Sequence, residues 1–142
     1  MTRCVPLLLL VAALAAGPAA GQSPTPHPAD AEVARLIAAD PSTMGMRRAY
    51  AKGLALWERD VDRSYARLLA ALDDEGRAAL RASQRDWRRY RERERALIAA
   101  VYDRKDGTIY GPMALEAAMA VVRARALVLR EHLEAALDGR PQ

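Results

Sequence analysis

Gln84, Trp87, Arg91 and Glu94 are separated by three, four and three residues, so on a helix they share one face. A tryptophan in such a place is ordinarily core. The odd feature is the arginine beside it. A guanidinium can lie along an indole and still reach a carboxylate on a neighbouring helix through a two-point contact. Glu58 and Asp62, one turn apart, are the acceptors on offer. The other course is for Arg91 to run to water along its aliphatic stem. A charge left unpaired inside is too costly to keep, so the chemistry of this set is cross-helix pairing. Read as a general acid and base, Glu58 and Asp62 would have to flank a cleft, and a slim helical chain offers little of one.

Nothing else has the spacing of a catalytic or metal centre. His27 and His132 each lack a second histidine within a turn, and no CxxC, HExxH or glycine-rich phosphate loop occurs. His132, beside Leu129, Glu131 and Leu133, reads as a surface residue near a helix end. No catalytic residue, metal or cofactor is assigned. The densest charge block, residues 77–95, holds eight arginines against Asp86, Glu92 and Glu94. Taken alone it would suggest nucleic acid. The export signal described below argues against that partner, and the arginines wind around the helix. The block reads as a salt-bridged helix surface, or one that meets an anionic envelope polymer, with Arg85, Arg88 and Arg89 as surface contacts.

Three long periodic segments must position these residues. In Met44–Leu72 the stripe is Tyr50, Leu54, Trp57, Val61, Tyr65, Leu68 and Leu72. Gly53 interrupts it at a cost of about 1 kcal/mol against alanine. The second segment, Asp74–Tyr102, carries Leu80, Trp87, Leu97, Ile98 and Val101, with a polar middle. The third, Ile109–Leu137, carries Leu115, Met119, Val122, Ala126, Leu129, Leu133 and Leu137. Asp73 and the acids after it supply a cap and a first turn, and Gly111-Pro112 falls at a helix start. A short helix over Asp30–Ala39, with Asp30 as its cap, precedes them. No segment alternates with period two. The expected fold is all-α: an antiparallel three-helix bundle, or a helical hairpin with a third helix packed across it, plus the short N-terminal helix.

The chain has 142 residues, 22 Lys and Arg against 18 Asp and Glu, and one cysteine, which suits one small domain. Arg3, the apolar run Val5–Ala16 and the small residues Ala19-Ala20-Gly21 have the form of a secretory signal peptide over residues 1–21. The run is short for a membrane span. Cleavage would remove Cys4, leaving no thiol chemistry and no disulfide. Residues 22–43 read as a Pro-rich leader with the short helix, 44–137 as the helical domain and 138–142 as a tail. Secretion or residence in a periplasm follows.

The stretch Glu58-Arg-Asp-Val-Asp62-Arg-Ser-Tyr65, followed by Gln84-Arg-Asp-Trp87-Arg-Arg-Tyr-Arg91-Glu92, resembles the LprI-like lysozyme inhibitor family. Gly107-Thr108-Ile109-Tyr110 matches that family's glycine-containing loop, and Val122-x-x-Arg125-x-x-x-Leu129 its last helix. The likeness covers about residues 44–133. Asp62 stands where the family usually has Asn, Glu92 where it has Asp, and Val122 where it has Thr or Ser. The family's usual cysteines are missing. The resemblance implies an exported helical domain in which Glu58, Asp62, Tyr65, Gln84, Trp87, Arg91 and Arg125 form a structural motif. It also implies lysozyme, or another envelope protein, as partner. The alternative is an envelope-associated helical module that binds peptidoglycan, an anionic polymer or a client protein.

Overall fold

A computed structural model describes residues 26–138. The signal-like stretch, the first residues of the leader and the last four of the tail lie outside the described residues. The described chain forms four helices: α1 (Pro28–Ala39), α2 (Thr43–Ala71), α3 (Asp74–Tyr102) and α4 (Tyr110–Asp138). The protein is an all-α bundle, and the three long helices start and stop within a residue of the expected bounds.

Local chemistry sets the helix ends. Ser42 Oγ accepts from the Gly45 amide at 3.0 Å, and Asp73 Oδ1 accepts from the Gly76 amide at 2.8 Å, each satisfying a donor the first turn leaves free. The cap of α1 is His27, not Asp30: its Nδ1 accepts from the Ala29 amide at 3.2 Å. Pro28, which has no amide proton to satisfy, occupies the first helical position. Asp30 sits in the first turn and turns its carboxylate inward. Between α3 and α4 the chain reverses through Gly107, whose φ of 120° suits a residue without a side chain.

The core lies between α2 and α4. Gly53 sits opposite Met119 and Trp57 beside Arg123, so the two helices run in the same direction. Trp57, Val61 and Leu68 meet Val122, Ala126, Leu129 and Leu133, all buried. α1 packs on α2 and adds Ala29 and Val33. Gly53 is what lets three helices converge, because a Cβ there would collide with Val33 Cγ2 and Met119 Sδ.

α3 is the outlying member. It packs chiefly on α4 and meets α2 at few places. Only Leu80 and Gln84 of its 29 residues are buried. Three expectations fail here. Trp87 is half-buried instead of fully enclosed, and Leu97 and Val101 are 55% and 45% exposed. The apolar period fixes which residues share a face, but no described helix covers that side of the C-terminal half of α3. Leu137, on the last turn of α4, is likewise exposed.

Candidate functional site

Of the expected motif residues, Glu58, Gln84, Trp87, Arg91 and Arg125 come together where α3 crosses α2 and α4. Arg91 Nη1 lies 3.4 Å from Glu58 Oε1 and its Nη2 lies 3.6 Å from Glu92 Oε1. Its guanidinium carbon sits 5.4 Å from the Trp87 ring centre, close enough for cation–π attraction. Arg91 thus pairs across the interface while leaning on the indole. Asp62, one turn beyond Glu58, is exposed and does not join the set. The helical turn that aims Glu58 at α3 aims Asp62 at solvent.

Arg125 of α4 also approaches Trp87, 5.9 Å from the ring centre. Its Nε and Nη2 donate to Gln84 Oε1 at 3.0 and 2.9 Å, and Nη2 also donates to Ser83 Oγ at 3.2 Å. Burial pushes the Arg125 guanidinium below its ordinary value, since desolvation disfavours the charged form. Gln84 is 4% exposed, so its amide oxygen depends on this donor. Tyr65 is half-buried against the core. Trp87 is therefore flanked by two cations, one tied to an acid and one to an amide. This is a joint that fastens α3 to its two neighbours.

A groove of about 290 Å³ opens beside the joint, between α2, α3 and α4. Leu54, Ile98, Leu115 and Val122 line it, with Glu58 and Arg91 at its edge. Arg91 Nε is buried with no hydrogen-bond partner.

Arg85, Arg88 and Arg89 are all exposed on α3. Asp86 pairs with Arg89 at 3.3 Å on the open surface, an interaction of small energetic worth. Arg81, Arg85 and Arg88 recur at four and three residues and so form one ridge within an arginine block that as a whole winds around the helix. Arg89 departs from that line. Arg85 and Arg88 have no carboxylate partner among the described residues. His132 is exposed near the end of α4.

A second polar cluster was not foreseen. His27, expected in a flexible lead-in, stacks on Trp57 and places Nε2 2.8 Å from Asp60 Oδ2. Trp57 Nε1 donates to Asp30 Oδ1 at 3.2 Å. Arg123 Nε and Nη2 clasp the same Asp30 carboxylate at 2.9–3.2 Å, and this bonding holds Arg123 above its ordinary value. Pro28 behind a capping side chain, with Asp30 in the first turn, was the available signal for a helix start at this point. An open groove of about 1170 Å³ passes this cluster, lined by side chains of both signs, among them Lys52, Arg59, Arg130 and Glu134.

Among the described residues no group of histidine, cysteine or acids could hold a metal ion, and no helix is long and apolar enough to cross a membrane.

The family model for the lysozyme inhibitor LprI matches residues 37–129, from the last turn of α1 to Leu129 of α4. A search of curated proteins finds no match. Among solved structures, the crystal structure of an uncharacterized protein from Burkholderia thailandensis is similar, with a TM-score of 0.75 and 29% identity. The likeness covers 81% of this chain and 58% of that one, so this chain spans little more than half of that protein's length.

Proposed function

Because the chain belongs to the LprI lysozyme inhibitor family, we propose that it is an exported, non-catalytic binding protein that inhibits lysozyme by obstructing its sugar-binding cleft. The observation that carries this reading is the arginine side of α3. Arg85, Arg88 and Arg89 stand exposed on the helix least embedded in the bundle. A lysozyme cleft holds carboxylates at its catalytic centre, and a guanidinium meets a carboxylate through two parallel hydrogen bonds. The motif residues Glu58, Gln84, Trp87, Arg91 and Arg125 act behind this surface by holding α3 in place. Export rests on the signal-like order of Arg3, Val5–Ala16 and Ala19-Ala20-Gly21, and it places the protein in a periplasm or outside the cell.

The test is lysozyme turnover of cell walls with and without the purified protein, repeated with Arg85→Glu, Arg88→Glu and Arg89→Glu combined. Inhibition that disappears in the triple variant at unchanged melting temperature supports the proposal. Inhibition retained by that variant removes Arg85, Arg88 and Arg89 from it, and a wild-type protein without effect removes lysozyme.

The net charge of +4 favours a second reading. Many lysozymes are themselves basic, so the chain gains no long-range steering towards them. The same charge suits an envelope module bound to peptidoglycan or another anionic polymer. Sedimentation with purified peptidoglycan, without lysozyme, separates the two.

A further inference from the structure

The side of α3 turned away from the arginine ridge carries its own pattern. Asp86, Tyr90, Arg93, Leu97 and Ala100 recur at alternating spacings of four and three, the repeat of a helix seam that meets another helix. Arg104, just past the end of α3 behind Asp103, whose backbone is still helical, follows at the next spacing of four. Leu97 and Arg88 are nine residues apart, two and a half turns, and so face opposite ways. No element of the described chain covers this seam: Tyr90 is 51% exposed, Leu97 55% and Val101 45%. Val128 and Met113, on the outer side of the adjoining α4, are 40% and 39% exposed.

We propose that this outer face of the α3–α4 hairpin is a dimer interface, and that its occupant is a second copy of the chain with its α3 antiparallel to the first. Two observations select that occupant. The first is charge. The seam has an acid, Asp86, near one end and a base, Arg104, at the other. A two-fold axis between Arg93 and Leu97 sets Asp86 of each copy against Arg104 of the other, with the stem of each Arg93 over the opposing Leu97. Parallel pairing would set like against like. Among the described residues Asp86 is paired only with the exposed Arg89, so it is available for such a pair.

The second is area. The five exposed apolar residues leave roughly 400 Å² on one copy and roughly 800 Å² in a pair, and the flanking Asp86, Arg93 and Arg104 carry the total past about 1,000 Å². That is the lower end of specific interfaces, so the dimer is concentration-dependent. Since the seam and the ridge lie on opposite sides of α3, dimerisation leaves Arg85 and Arg88 of both copies free.

Sedimentation equilibrium of the purified protein over a micromolar-to-millimolar series tests the proposal. The wild-type mass should rise towards twice the monomer. Leu97→Arg, which sets a second guanidinium against Arg93 of the other copy, should weaken association at least about tenfold. Asp86→Arg should weaken it too, and Asp86→Arg combined with Arg104→Asp should restore it, a rescue that a general loss of folding would not give. A wild-type protein that stays monomeric throughout, or association indifferent to Leu97→Arg, overturns the interface. Failure of the charge swap to rescue overturns the antiparallel pairing. A monomer that binds lysozyme and loses it on Leu97→Arg would assign the face to that partner instead. None of these readings depends on whether lysozyme is inhibited.

Discussion

The His27 imidazole lies against the Trp57 indole with ring centres 3.9 Å apart and planes inclined by 22°. One side chain thereby caps α1 through Nδ1, covers the fully buried tryptophan of α2, and reaches Asp60 through Nε2. With Nδ1 accepting a backbone N–H, the proton sits on Nε2, facing the Asp60 carboxylate. The segment ahead of the helical domain is thus fastened to the centre of the core.

His27→Ala should cost about 1.5–2.5 kcal/mol in denaturant unfolding, from a lost cap and a lost aromatic contact. His27→Asn, which can still cap, should recover roughly the capping share. A cost near zero for both would mean that docking of this segment adds nothing to stability.

Gly53→Ala tests the convergence of α1, α2 and α4. Helix propensity alone favours alanine by about 1 kcal/mol. The new methyl would meet Val33 and Met119, and overpacking of that kind costs about 1–3 kcal/mol. The net effect should be destabilising, read as a lower denaturation midpoint at unchanged slope. A stabilised variant would show that the helices can part without loss.

Tyr50 should give the fold an alkaline limit. Burial, and then the negative charge of Glu116 with a hydrogen bond to it, raise the phenol above its usual value of 10.0. The folded chain therefore holds this proton more tightly than the unfolded chain. That contribution is complete below the unfolded value and is lost as pH rises through the folded one. Melting temperatures of the wild type and Tyr50→Phe should keep a constant difference up to about pH 9 and shift against each other above about pH 10. Parallel curves throughout would contradict the raised value.

Most of the architecture was legible because 29-residue helices repeat their apolar period many times, and a long period is hard to mistake. What period cannot report is whether a face has a neighbour. Trp57 and Trp87 look alike in sequence, yet Trp57 is sealed by α1 and α4 while Trp87 is bordered by two guanidinium groups. Leu97 and Val101 were expected inside for the same reason. His27 was missed because its Pro/Ser/Thr surroundings resemble a linker, although Pro28 is a legitimate first residue of a helix. Arg91 was legible in kind, since an arginine beside a tryptophan needs an acid. The choice between Glu58 and Asp62 required the rotation of α2, which only packing sets.

That choice is itself measurable. Arg91 and Glu58 meet at 3.4 Å with side chains 26% and 44% exposed, so solvent screens the pair and its coupling should be modest, about 0.5–1 kcal/mol. A double-mutant cycle with Arg91→Met and Glu58→Gln isolates it. The matching cycle with Asp62→Asn should give a coupling near zero, because Asp62 faces solvent. Equal coupling to both acids would mean that the guanidinium moves between them. Arg91→Met alone should cost more than Glu58→Gln, since it also removes the contact with Glu92 and the cover over Trp87. Because Arg91 secures α3 from behind, its loss should lower the melting temperature before it lowers inhibition. An Arg91 variant that melts normally but no longer inhibits would turn this arginine from a fastening of the helix into a contact with the partner.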